Sequence, residues 1–286
     1  MASLSNQGVR SPMAEKKYGI ITGGASGLGR ALARQLAREG WHLAIADING
    51  PGADETVRML AAEGGSGQAE SLDVTKPEDW QALSDRLRPQ WPRLDLLVNN
   101  AGVAGAGLVG EFSLEDWKWV LDINLNNVIY GTHFFIDWLK SNPGRSHIIN
   151  TASFAAIASA PGMAAYNVSK AAVVSLSETL WCELQANDIS VTVICPEFFA
   201  TNLLEKSRFN DPNALKFARK AFEKSTFTAD DVARSAIDAM KKNKLYVILP
   251  KAARQRWYLK RLNPQWFLGK VTALMAKSTG GVKRNA

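Results

Sequence analysis

The sequence predicts a single doubly wound α/β domain on a parallel seven-stranded sheet, with a basic helical extension at its C-terminal end. Three observations predict it. Seven short apolar runs alternate with longer amphipathic segments, as repeated β-α units require. A glycine-rich turn follows the first run directly, and an Asp closes the second.

Tyr18–Thr22 reads as the first strand, followed by a helix over Gly27–Glu39 that Gly40 closes. His42–Asp47 is the second strand, and Pro51–Glu63 a helix ended by Gly64-Gly65. Gln68–Val74 is the third strand, and Pro77–Leu87 a helix with proline in its first turn, where no N–H is missed. Leu94–Asn99 is the fourth strand. One long helix is predicted over Leu114–Lys140, stopped by Asn142-Pro143-Gly144. His147–Thr151 is the fifth strand, with a helix from Gly162 to Ala186, and Ser190–Cys195 is the sixth, ending at Pro196. Leu204–Lys224 is charged and helical, a candidate mobile lid. Ala229–Lys241 is a helix and Leu245–Leu249 the last strand. No repeat or low-complexity linker divides the chain. Residues 1–15 read as a disordered lead-in, 16–250 as one domain and 251–286 as the extension.

Composition sets limits on function. No run of eighteen apolar residues is present, and the N-terminus lacks an apolar stretch of signal-peptide length, so a cytoplasmic protein is expected. Cys182 and Cys195 suggest free thiols, and the three histidines have no ligand spacing, so no metal is expected. The net charge of +7 is uneven. From Lys241 onward there are twelve Lys/Arg and no acid, which leaves 22 basic against 27 acidic residues in the first 240. The body is mildly acidic, so the high overall charge does not point to nucleic acid.

The residues that carry chemistry lie in three places. The turn Thr22-Gly23-Gly24-Ala25-Ser26-Gly27-Leu28-Gly29 opens a helix, whose free N–H groups and positive dipole end suit a pyrophosphate. Asp47, eighteen residues past Gly29, is placed to accept from an adenosine ribose and to repel a 2′-phosphate. No Arg or Lys adjoins it in Asp47-Ile48-Asn49, so NAD is favoured over NADP. Tyr166 and Lys170, four apart on one helix face, pair a phenol with an ammonium, which favours the phenolate. Ser153, at the end of the preceding strand, can reach the same point with a hydroxyl donor.

With these residues assembled, the sequence resembles the short-chain dehydrogenase/reductase family from about Tyr18 to Thr201, and more loosely to Leu249. The motifs occur in the family's order: the glycine turn, Asp73-Val74, Asn99-Asn100-Ala101-Gly102, Asn124, Ser153, Tyr166-Asn167-Val168-Ser169-Lys170, and Pro196 to Thr201. The resemblance implies a Rossmann-type fold and an alcohol dehydrogenase or ketone reductase. It implies that Asp73 and Val74 border the adenine, that Asn100, Ala101 and Gly102 lie beside the cofactor, and that Pro196 and Thr201 meet the nicotinamide end. It also implies a catalytic tetrad of Asn124, Ser153, Tyr166 and Lys170. Tyr166 would exchange the proton with the substrate oxygen, and Ser153 would orient that oxygen. Lys170 would hold the ribose and lower the pKa of Tyr166, and Asn124 would position a water. Homodimers or homotetramers are expected through the long 114–140 and 162–186 helices.

One departure stands out. Where the family has Pro-Gly, this chain has Pro196-Glu197, leaving Glu197 either solvated or bonded to a hydroxylated substrate. Phe154, Met163, Phe198, Phe199 and Leu203, with residues 103–108 opposite, suggest an apolar pocket for a fatty, alicyclic, steroid-like or aromatic secondary alcohol or ketone. The tail reads as two amphipathic helices broken at Asn263-Pro264, either packed on the enzyme or a neighbouring subunit, or in peripheral contact with an anionic membrane. Two alternatives to an NAD enzyme stay open: an NADP-dependent carbonyl reductase, and a non-catalytic dinucleotide-binding sensor or interaction protein on the same fold.

Overall fold

The computed structural model describes residues 16–278. The chain order is β1 (Tyr18–Thr22), α1 (Gly27–Ala37), β2 (His42–Asp47), α2 (Gly50–Ala62), β3 (Ser66–Ser71), α3 (Pro77–Leu87) and β4 (Leu96–Asn99). Next come β5 (Gly105–Ala106), α4 (Leu114–Leu121), a π-helical turn (Asp122–Asn126), α5 (Asn127–Lys140), β6 (Ser146–Thr151), α6 (Ala155–Ala158) and α7 (Ala164–Glu183). After a short 3-10 turn, β7 (Ile189–Pro196) leads to a second 3-10 turn (Asn202–Lys206), β8 (Arg208–Phe209) and α8 (Pro212–Glu223). The chain then forms α9 (Ala229–Lys241), β9 (Tyr246–Leu249), α10 (Lys251–Leu262) and α11 (Pro264–Ser278).

Seven strands form one sheet in the order β3-β2-β1-β4-β6-β7-β9, with every neighbouring pair parallel. Parallel strands are buried on both faces, so alternate residues feed two cores. Ile21, Leu43, Ile45 and Val98 pack with α1 and α9 on one side. Ile20, Leu97 and Ile148 pack with Trp80, Leu83, Phe135 and Trp138 of α3 and α5 on the other. Each such side chain, fully buried, contributes roughly 1.5–3 kcal/mol of transfer free energy. Because β1 has β2 on one side and β4 on the other, the connections diverge there and open a crevice at the C-terminal strand ends.

A buried polar ladder ties α7 to this sheet. Asn99 Nδ2 donates to Asn150 Oδ1 at 2.9 Å, and Asn150 Nδ2 donates to Ser177 Oγ at 3.0 Å. These bonds stitch β4, β6 and α7 together. The buried face of α7 (Ala165, Tyr166, Ser169, Lys170, Val173, Ser177) therefore has a fixed rotation over the crevice.

Four expectations are corrected. The predicted single helix over 114–140 contains the π turn, whose extra residue turns Asn124 fully inward. The third strand runs Ser66–Ser71 instead of Gln68–Val74. Its ladder stops because Asp79 Oδ2 takes the Asp73 amide at 3.0 Å, while Asp73 itself accepts from the Thr75 amide at 3.1 Å. The fourth strand starts at Leu96 instead of Leu94. The 204–224 segment is not one helix. Its middle pairs β8 with β5, and Arg208 bonds Asp116 at 2.7 Å and lies 4.3 Å over the Trp119 ring.

Candidate active site

The crevice is a cleft of about 1520 Å³ running from Asp47 and Asp73 to Tyr166 and on to the C-terminal helices. Such a volume exceeds the roughly 300–1,000 Å³ of a single small-ligand pocket.

At one end, the glycine turn has the backbone that a close ligand approach needs. Gly23 and Gly27 hold φ of +64° and +52°, and a Cβ on Gly29 would fall 2.2 Å from the Gly23 carbonyl oxygen. Asn100 braces this turn: its amide donates to Thr22 Oγ1 at 3.0 Å and its Nδ2 to the Thr22 carbonyl at 3.0 Å. Ala101 N also donates to Thr22 Oγ1, at 3.1 Å. Thr22 is thus a fully buried supporting residue that sequence reasoning passed over, although it begins the glycine motif.

Asp47 closes β2 beside the turn, with Oδ2 accepting from Ala25 N at 3.0 Å and Oδ1 from Asn49 N at 2.9 Å. Ser26, Leu28, Asp73 and Val74 line the same end. Burial pushes the Asp73 carboxyl up, but the Thr75 hydroxyl and amide and the Lys76 ammonium outweigh it, and its pKa lies below the usual value.

At the other end, Lys170 is buried and donates to the Thr151 carbonyl at 2.9 Å, with its ammonium 5.9 Å from the Tyr166 ring centre. Burial brings Lys170 down to about 8. Tyr166 is also buried, and burial raises its pKa despite the Ser153 hydroxyl, which pulls it down. This corrects the expected depression of the phenol. A buried phenolate loses its hydration, and in this protein that cost outweighs the neighbouring groups. Ser153 accepts from the Ala155 amide at 3.1 Å, which orients its hydroxyl at the start of α6.

Asn124 is completely buried and fully engaged. Its Oδ1 accepts from Val103 N at 2.8 Å, and its Nδ2 donates to Val103 O at 2.9 Å and to Ser169 Oγ at 3.1 Å. It thereby ties the π turn to the 100–104 loop and to α7. A Cβ on Gly102 would lie 3.1 Å from Asn124 Oδ1 and 3.3 Å from Lys170 Nζ, so a side chain here would crowd both groups, and this glycine keeps the cleft open beside Lys170. Thr201 is close to the glycine turn, with Oγ1 2.9 Å from a Cβ built on Gly27. Pro196 lines the cleft beside it. The cradle, the acid at β2 and the open space at Gly102 fit a nicotinamide dinucleotide along the crevice.

The predicted pocket residues Phe154, Met163, Glu197, Phe198, Phe199 and Leu203 all line the cleft. Two of them divide their roles: Phe199 also packs on the sheet core, and Phe198 sits edge-on to Phe222 of α8 at 5.4 Å. Glu197 has a partner the sequence did not suggest: Arg256 of α10 holds its Oε2 at 2.6 Å, and its side chain is 20% exposed at the cleft wall. Sequence gave no signal for Arg256, which lies 59 residues away. The buried Cys195 thiol is pushed up to about 12 by burial, an inert packing group on β7. Among the described residues, no group of three or more His, Cys, Asp or Glu could hold a metal.

A switch-point crevice of this construction, with a buried Tyr and Lys beside a Ser at its end, defines a dinucleotide-dependent oxidoreductase. The chain belongs to the short-chain dehydrogenase/reductase family, matching the short chain dehydrogenase family over residues 17–212. It is 32% identical over 190 residues to a cyclopentanol dehydrogenase from Comamonas testosteroni, covering 66% of this chain and 76% of that protein. The crystal structure of a short-chain dehydrogenase/reductase from Burkholderia phymatum in complex with NAD superposes with a TM-score of 0.81 at 31% identity, covering 88% of this chain and 95% of that one. An alcohol dehydrogenase from the archaeon Thermococcus sibiricus, complexed with 5-hydroxy-NADP, superposes with a TM-score of 0.71 at 25% identity, covering 82% and 96%.

Proposed function

We propose that the chain is an NAD(H)-dependent oxidoreductase acting on a CH–OH or C=O carbon of an apolar secondary alcohol or ketone. The observation that carries this is the single cleft joining Asp47 to Ser153, Tyr166 and Lys170. When bound, the nicotinamide supplies the hydride acceptor or donor. Tyr166 holds or takes the proton at the substrate oxygen, Ser153 orients that oxygen, and Lys170 supplies a positive charge that favours the phenolate and donors for a ribose. Asn124 acts as a positioning residue, fixing α7 against the 100–104 loop.

Preference for NAD rests on the adenosine end. Among the described residues, the basic side chains lining the cleft are Lys170, Lys206, Arg256 and Lys270, none of them on β2 or the loop after it. Arg30, the nearest candidate on α1, is committed to Ala25 O at 2.6 Å, Glu55 at 2.6 Å and Thr56 Oγ1 at 3.0 Å. A 2′-phosphate would therefore meet the Asp47 carboxylate without a cation to balance it.

Two further traits accompany this function. Exposed Ile129 on α5 and exposed Val168 and Trp181 on α7 support a homodimer or homotetramer through these helices. Tyr258, Leu262 and Leu268 are exposed on the basic tail, which supports peripheral contact with an anionic membrane in a cytoplasmic setting. No helix of the described residues is long and apolar enough to cross a membrane.

The test is a binding and turnover comparison with both dinucleotides, followed at NADH absorbance with cyclic secondary alcohols. Wild-type protein should bind NADH more tightly than NADPH, and Asp47→Ala should narrow that gap. Tyr166→Phe should keep NADH binding and lose on the order of 10²–10⁴ in turnover. Tighter NADPH binding by the wild type refutes the cofactor assignment. Full activity in Tyr166→Phe refutes the proton role.

A further inference from the structure

The C-terminal helices do not leave the domain; they return across its active-site cleft. The inner residues of α10 bolt it down. Ala253 is fully buried, and Trp257 packs with Phe154, Ile157 and Cys195 in a core cluster between α7, β7 and β9. Two cations then fasten α10 to the loops of the site. Lys260 Nζ donates to the Ile157 carbonyl and, at 3.2 Å, to Ser159 Oγ, capping the C-terminal end of α6 where a positive charge is favoured. Arg256 bonds Glu197 at 2.6 Å while its guanidinium lies 5.1 Å over the Phe154 ring. The Glu197 amide in turn donates to Leu249 O at 2.8 Å. Glu197 and Phe154 are themselves cleft residues, so α10 is registered directly against the site.

With α10 fixed, α11 runs along the open side of the cleft. Phe267, only 5% exposed, and the half-buried Val271 and Met275 line the cleft, as do Ala214, Ala218 and Phe222 of α8. Residues of both helices therefore share one cleft with Tyr166 and with the glycine turn. The cleft's total of about 1520 Å³ leaves space for a second, sizeable ligand beside a dinucleotide.

We propose that α11 is the far wall of the substrate site, latched by the Glu197–Arg256 pair, and that it selects a secondary alcohol or ketone carried on an extended apolar body. The proposal rests on the oxidoreductase function above and adds the size class of the substrate. It also accounts for the one departure from the family pattern: a carboxylate at 197 has a partner only because the tail brings Arg256 to it. Glu197 and Arg256 are positioning residues. The Arg256 side chain is 40% exposed and that of Glu197 20%, so water screens the pair and its task is register more than stability.

The experiment measures kcat/KM for a homologous series of 2-alkanols and the matching cyclic alcohols. In the wild type, kcat/KM should rise about fourfold per added methylene until the chain outruns the wall. Val271→Asp places a charge in the wall and should flatten that rise. Arg256→Ala should lower the long-to-short ratio by on the order of tenfold, mainly through KM. The exchanged pair Glu197→Arg with Arg256→Glu should restore it. A parallel titration of NADH-loaded protein with a long-chain 2-ketone, read by quenching of Trp266 fluorescence with Trp266→Phe as control, does not need turnover. Chain-length selectivity that is absent in the wild type, or unchanged in both single variants, overturns the wall. If no alcohol or ketone turns over but the long ketone binds and Val271→Asp abolishes that binding, the wall stands and the oxidoreductase function falls. If neither turnover nor binding is seen, both fall.

Discussion

At the scale of the residue, burial decides the electrostatics. Tyr166 and Lys170 were legible as a phenol and an ammonium four apart, yet spacing alone implied a lowered phenol pKa, and burial reverses the direction. His147 shows the same rule outside the site. Its Nε2 lies 2.8 Å from Thr192 Oγ1, which itself donates to Lys244 O at 2.8 Å, so the imidazole is the donor and carries its proton on Nε2. Burial first, then the Arg145 charge, bring its pKa down to about 3. The unfolded chain therefore takes up a proton below about 6.5 that the folded protein refuses until about 3. Stability is full above pH 6.5 and is lost as pH falls, by up to about 1.4 kcal/mol per pH unit from this group. His147→Gln keeps a donor for Thr192 and should reduce the slope of stability against pH by that amount between pH 6 and 4.5. Urea unfolding at several pH values checks this, and an identical slope in the variant would show that His147 does not titrate as described.

At the scale of the element, position within the sheet turns ordinary segments into site parts. The glycine turn and the Tyr166 helix were readable because their patterns are local: φ-permissive residues after an apolar run, and a four-residue repeat on one face. The π turn at Asn124 was not readable, since it depends on what Val103 and Ser169 offer to the Asn side chain. Among the glycines, Gly29 has the least room, because the Gly23 carbonyl lies on the path of any Cβ. Gly29→Ala should cost about 1–3 kcal/mol through backbone displacement and weaken NADH binding together with it. Gly110→Ala, where nothing lies within 4 Å, is the control and should leave both near the wild-type values. Thermal melts with and without NADH distinguish the two; a Gly29→Ala protein as stable and as tightly bound as wild type would refute the close-packed turn.

At the scale of the whole molecule, charge is separated along the chain. A body with 22 basic and 27 acidic residues carries a tail with twelve basic residues and no acid. Three of those tail charges, Arg256, Lys260 and Lys270, sit at or near the cleft, while Arg254 and Arg261 remain exposed beside Tyr258 and Leu262. The outer face therefore combines cations with apolar side chains, as anionic membrane surfaces favour. Full-length protein should co-sediment with anionic vesicles at low salt, not with zwitterionic ones, and the bound fraction should fall as salt shortens the Debye length. No sedimentation at low salt would rule the contact out. The predicted lead-in, residues 1–15, and the last eight residues of the tail lie outside the described residues.

The sequence by itself determined the seven-stranded doubly wound sheet, the glycine turn, Asp47 and the Ser153, Tyr166 and Lys170 positions. All of these are written in periodicity or short spacing, which local backbone geometry fixes. Tertiary structure alone decided the rest. It set the direction of the Tyr166 pKa, the inward turn of Asn124, the interruption of the 204–224 segment by β8, and the pairing of Glu197 with Arg256. Each of these depends on burial or on a partner from a distant part of the chain, and neither leaves a trace in local sequence.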